Sequence, residues 1–215
     1  MATIISELLE YIHKYYSIGI PALLNYQGQS ALRSILEKKI NSLDSEEQTP
    51  WSALIKSLRE VFEGYELQDC DFLQFPNYVC YIVMDNQRSE NVNMKTRLVC
   101  ALSLLCDYYT IFFEDIYTME RYELVYPSEA PGLAVVSFEG HPAFKTHSKE
   151  ITELKSLIAT KFPGYSYLHH KPLFKTPIAA GIPHGEGPSE VPVSYSIYRY
   201  LFNSYSYFVP FEVLD

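Results

Sequence analysis

From Asn93 to Ile116 the chain reads NMKTRLVCALSLLCDYYTIFFEDI, a long stretch nearly free of charge. Its pattern divides it into two strands, about Lys95–Leu104 and Tyr108–Glu114, joined near Cys106–Asp107. The second strand is dense in aromatic and β-branched residues, which fit a packed, pleated surface. The first also fits a helical stripe through Leu98, Ala101, Leu102 and Leu105, and Leu and Ala favour helix. Either geometry makes the stretch core, and it is too short and polar-flanked to span a bilayer.

The N-terminal third has helical period. Thr3 is placed to cap a helix from Ile4 to Tyr16, with Ile5, Leu8, Leu9 and Ile12 inward and Glu7, Glu10 and Lys14 on the wet side. Gly19 and Pro21 break it. Leu32, Ile35, Leu36 and Ile40 predict a second helix over Ser30–Leu43, and Ser42–Gln48 is an acidic linker. Thr49 and Pro50 then read as cap and first helical position of a third helix. Trp51, Leu54, Ile55, Leu58, Val61 and Phe62 line its inner face, and Gly64 is placed to end it.

The period then shortens. Tyr78–Met84 reads as a strand, Asp85–Asn91 as a polar turn, and Leu133–Phe138 as a strand after the PSEAPG turn. Ser148 is placed to cap a helix over Lys149–Phe162, and Tyr165–His169 reads as a strand after Pro163–Gly164. Residues 176–192 carry too much glycine and proline for a regular element. Val193–Phe202 and Tyr205–Val209 read as closing strands. The sum is an α+β fold: N-terminal helices packed on a largely antiparallel or mixed β-sheet, with one further helix near 149–162. The expected organisation is one domain over 1–215, with a helical subregion 1–64 and a β-rich region 65–215.

One internal echo stands out. Leu54, Leu58, Phe62, Gly64 and Tyr65 recur at the same offsets as Leu154, Ile158, Phe162, Gly164 and Tyr165. Duplication of a helix–strand unit and two ordinary helix ends obeying the same capping physics both produce it.

Charge narrows the function classes. The net charge is -9 over 215 residues, which argues against nucleic acid and anionic membrane surfaces as partners. The N-terminus does not follow the pattern of a secretory signal, so a cytoplasmic location is expected. Cys70, Cys80, Cys100 and Cys106 lack zinc-site spacing and read as reduced thiols. Nineteen tyrosines and twelve phenylalanines suit either a binding surface or rings stacked across a sheet.

Chemistry has few candidates. In the loop Gly181–Pro188, His184 beside Glu186 has the residue types for proton transfer, without a Walker or dinucleotide pattern. The same glycines and prolines would shape a plain surface loop. His169–His170 at a strand end would point to opposite faces, a poor geometry for one metal. Nothing in the spacing calls for a metal or other cofactor.

The acidic residues form two groups. Glu60, Glu63, Glu66, Asp69 and Asp71 are one; Glu114, Asp115, Glu120 and Glu123, interleaved with Tyr117 and Tyr122, are the other. Either is an ordinary solvated face or a surface for a basic protein, with charge steering encounter and rings holding the complex. The second group, extended by His184, Glu186 and Glu190 of the late loop, is the expected partner-binding surface. Acidic, aromatic-rich and mixed α/β, with a YYTIFF strand at Tyr108–Phe113, the chain resembles bacterial immunity proteins in overall style. That resemblance implies a toxin partner with a basic surface, blocked stoichiometrically without a cofactor. Two other readings stay open: a small enzyme using the 176–192 loop with His184 as acid or base, and a structural homo-oligomer, such as a dimer through tyrosine-rich C-terminal strands.

Overall fold

The computed structural model describes residues 2–19, 26–43, 49–70, 74–119, 132–137, 141–186, 193–202 and 211–214. Three helices come first: α1 (Ala2–Tyr15), α2 (Gln27–Leu43) and α3 (Pro50–Val61). The strands β1 (Glu66–Asp69), β2 (Asn77–Arg88), β3 (Val92–Ser103), β4 (Tyr108–Met119) and β5 (Gly132–Ser137) follow. The remainder alternates: α4 (Pro142–Thr146), α5 (Ser148–Lys161), β6 (Ser166–Tyr167), α6 (His170–Lys175), β7 (Pro177–Ile178), β8 (Tyr195–Ser196), α7 (Ile197–Leu201) and β9 (Phe211–Leu214).

The sheet runs in the order β1-β2-β3-β4-β5-β9, with β6 also paired to β4. Pairing is antiparallel from β1 to β5, whereas β6 joins β4 and β9 joins β5 in parallel. The fold is therefore mixed α/β, with N-terminal helices, a mostly antiparallel sheet and additional helices. The Asn93–Ile116 stretch is a hairpin, so its ambiguous first half is a strand. Pairing with β2 and β4 on both sides overrides the helix preference of its Leu and Ala.

Both faces of the sheet are covered. Val79, Tyr81, Val99, Ala101 and Phe112 point into one core with Leu8 and Ile12 of α1, Leu32 of α2, Leu173 of α6 and Tyr198 of α7. Cys80, Ile82, Leu98, Cys100, Ile111 and Phe113 point the opposite way, against Leu54 and Leu58 of α3 and Leu154 and Ile158 of α5. Burial on both faces explains why these strands read as continuous apolar runs. Each fully buried Leu or Ile contributes about 2 kcal/mol relative to exposure.

Local chemistry sets several boundaries. Thr49 caps α3 by accepting from Ser52 N–H at 3.1 Å, and Pro50 occupies the first turn. α1 and α2 approach closely at Gly28, where a Cβ would lie 2.5 Å from the Lys14 carbonyl oxygen. The echoed segments are structural counterparts. Phe62 and Phe162 end their helices, Gly64 and Gly164 have φ of 96° and 103°, and Tyr65 and Tyr165 each donate a backbone bond to the preceding phenylalanine carbonyl.

Several element expectations change: Thr3 lies inside α1 rather than capping it, and β4 runs past Glu114 to Met119. β2 continues to Arg88 because its polar end still pairs with β3. Ser148 is the first residue of α5, His147 holds the cap position, and no side chain caps there. Tyr165–His169 shortens to the two residues of β6, and His169 caps α6 by accepting from Lys171 N–H at 3.1 Å. Val193–Phe202 is a short strand followed by α7. There Ile197, Tyr198 and Leu201 have helical spacing, and their burial wins over the strand preference of tyrosine. The expected strand at Tyr205–Val209 lies outside the described residues.

Candidate functional site

Of the expected binding surface at 114–123, the structure describes residues 114–119. Glu114 has no exposed area, and its carboxylate accepts from the Arg97 Nε–H directly across the β3–β4 ladder. Arg97 also lies 3.8 Å over the Tyr81 ring. Glu114 is thus a core ion-pair partner, a correction to its expected place on the surface. A charge in mid-strand is tolerated there because the register supplies the opposite charge.

One residue on, the opposite sheet face carries a second polar cluster. Asp115 accepts from the Thr96 hydroxyl at 2.6 Å and lies 3.1 Å from His141 Nε2. Burial alone would raise the Asp115 pKa, but the bonds from His141 and Thr96 outweigh it and hold the carboxyl below its ordinary range. His141 Nδ1 accepts from Ala143 N–H at 3.2 Å, which places the ring proton on Nε2, facing Asp115. With both nitrogens engaged and the ring stacked on Phe113 at 5.5 Å, this aspartate–histidine pair positions α4. A general base would need a ring nitrogen open to substrate.

Tyr117 is half-buried, and burial followed by the Asp115 charge raises its pKa. Glu120, Tyr122, Glu123 and Glu190 lie outside the described residues. The late loop is knitted into the body. Burial lowers the His184 pKa, opposed by a bond from its ring to the Gln74 backbone carbonyl. Glu186 pairs with Arg199 of α7. Gly181 passes so close to Ile18 and Tyr200 that a Cβ would lie 2.2 Å from Ile18 Cδ1. The described part of the late loop thus packs on Ile18, Tyr200 and Arg199.

His169 and His170 stack at 4.6 Å rather than pointing apart, because the chain turns into α6 between them. Among the described residues no cluster of histidine, cysteine and acidic side chains could hold a metal, and no helix is long and apolar enough to cross a membrane. The Cys80 thiol is raised by its bond with Cys100 and by burial, and burial pushes Cys106 up to about 11.

An acidic, tyrosine-bearing surface lies elsewhere, where α1 meets the β3–β4 turn. The Tyr108 hydroxyl donates to the Glu7 carboxylate at 2.9 Å, joining residues 101 apart in sequence. Burial, then that bond and the Glu7 charge, push Tyr108 up to about 12, so it is a neutral donor. Tyr11, one helical turn after Glu7, is raised by burial and then by Glu7 and Asp107. Asp107 is exposed at the turn, and Glu7, Tyr11 and Tyr108 are partly exposed. Glu7 reads in sequence as one wet-side residue of a helix. Its partnership with the turn needs the docking of α1 on the sheet, which no local pattern encodes. The other acidic group is dispersed along α3 and β1, with Glu60, Glu63, Glu66 and Asp69 exposed and Asp71 outside the described residues.

No family model matches the chain, no curated protein matches it, and no solved structure matches its fold.

Proposed function

We propose that the chain is a non-catalytic binder of another polypeptide, whose basic surface it grips with its own acidic patch of Glu7, Tyr11, Asp107 and Tyr108. The observation carrying this reading is the Tyr108–Glu7 bond, which fixes a carboxylate and a ring in one orientation beside Tyr11 and Asp107. Tyrosine offers large contact area at low entropic cost, and its hydroxyl keeps a polar contact when water is excluded. Two carboxylates among the rings attract lysine or arginine over long range and discriminate against acidic surfaces. The resemblance in style to immunity proteins supports a toxin as the partner and a stoichiometric block in the cytoplasm as the mechanism.

The test is charge reversal. Glu7→Lys with Asp107→Lys is expected to weaken capture of the partner at least ~100-fold, from loss of two charge contacts. Glu153→Lys, an exposed residue of α5, is expected to leave capture unchanged. Equal capture by the patch and control variants would remove this surface from the interface.

A further inference from the structure

A cleft of about 360 Å³ opens between the first turns of α3 and the edge strand β1. Its described lining includes Trp51, Ser52, Ile55, Lys56, Arg59 and Asp69. Trp51 and Ile55 are almost fully buried and supply an apolar wall. Trp51 is held on two sides: it stacks on Tyr78 at 5.0 Å, and its indole N–H donates to Asp69 at 3.2 Å. The wall is therefore rigid. Ser52, Lys56 and Arg59 stand at helical spacing along the α3 stripe that borders the cleft.

Charge makes this cleft unusual for the chain. Lys56 and Arg59 are two of its 17 basic residues, against 26 acidic ones. They lie on one helix face without an ion pair among the described residues, and both are exposed. Asp69, the carboxylate of the described lining, is turned to the Trp51 indole. Two neighbouring cations beside an apolar wall match a ligand with an anionic head and an apolar body.

The geometry points to a binding site for a small organic anion, a carboxylate or phosphate monoester, with its head on Lys56 and Arg59 and its body against Trp51 and Ile55. This site is separate from the proposed polypeptide interface and does not depend on it. The volume lies near the lower end of ordinary small-molecule sites, and admits a ligand of modest size. Arg59 supplies a planar fork suited to either head group, and Lys56 a point charge.

Trp51 is the one tryptophan of the chain, so its fluorescence reports from the cleft itself. The experiment titrates the full chain with hexanoate, hexyl phosphate, neutral hexanamide and inorganic phosphate, reading Trp51 emission and, in parallel, calorimetric heat. Saturable binding of hexanoate or hexyl phosphate is expected, with hexanamide at least ~10-fold weaker, the loss of one charged contact. Stronger binding of hexyl phosphate than of inorganic phosphate supports the apolar wall, and equal binding would overturn it. Lys56→Gln/Arg59→Gln, at exposed positions, is expected to weaken hexanoate or hexyl phosphate binding by at least ~10-fold with an unchanged melting temperature. Binding of hexanamide as tight as that of hexanoate would overturn the assignment. So would undiminished binding by the double variant, or no saturable heat at millimolar probe.

Discussion

Arg97 and Glu114 face each other across the central ladder, and the same guanidinium covers the ring of Tyr81. The pair lets a strand that is apolar through Phe113 continue into polar sequence. Glu114→Gln leaves the cation with a weakened partner and is expected to cost about 3 kcal/mol in denaturant unfolding. Replacing both residues, Arg97→Met with Glu114→Leu, is expected to recover most of that loss, because neither charge is then desolvated.

On the opposite face, Asp115 holds Thr96 and His141 together. Its depressed pKa means that the folded state binds its proton less readily than the unfolded chain does. The stability it contributes is present above the ordinary carboxylate range and is lost as pH falls through the lowered folded value. Asp115→Asn is therefore expected to cost about 2 kcal/mol at neutral pH, with the gap from wild type closing in strong acid. Urea melts across the acid range read this directly.

The thiols should react according to burial. Cys80, Cys100 and Cys106 are buried, whereas Cys70 is half-exposed with its pKa raised by burial. In the native protein, Ellman's reagent is expected to label Cys70 alone, at a rate climbing into alkaline pH. All four thiols should react in denaturant.

Gly64 and Gly164 test whether the two echoed helix ends are energetically alike. Both have positive φ, and a Cβ at either would meet nothing within 4 Å. The cost of Gly64→Ala and of Gly164→Ala is therefore purely conformational, about 1 kcal/mol each. Thermal unfolding of the two variants should give matching losses.

The legibility of this fold follows the range of the forces involved. Thr49 and Pro50 declare the start of α3 because capping is local, and the aromatic run at Tyr108–Phe113 declares β4 because burial on two faces leaves no charged interruption. The Val193–Phe202 segment misleads because tyrosine favours strands, while the buried spacing of Ile197, Tyr198 and Leu201 emerges against the sheet. Glu114 was legible as a charge but not as a buried one. Its burial needs Arg97 opposite, and that depends on the hairpin register rather than on any neighbour in sequence. The Glu7–Tyr108 contact lies further out of reach, since it joins an N-terminal helix to a turn 101 residues away.

The most direct test of the binding account is affinity capture from extracts of the native host with the full chain, quantified beside Glu7→Lys/Asp107→Lys and the Glu153→Lys control. A basic polypeptide is expected to be retained at one-to-one stoichiometry by wild type and control and lost by the double reversal. Capture indifferent to the reversal, or no polypeptide retained by the wild-type chain, would contradict the binding account.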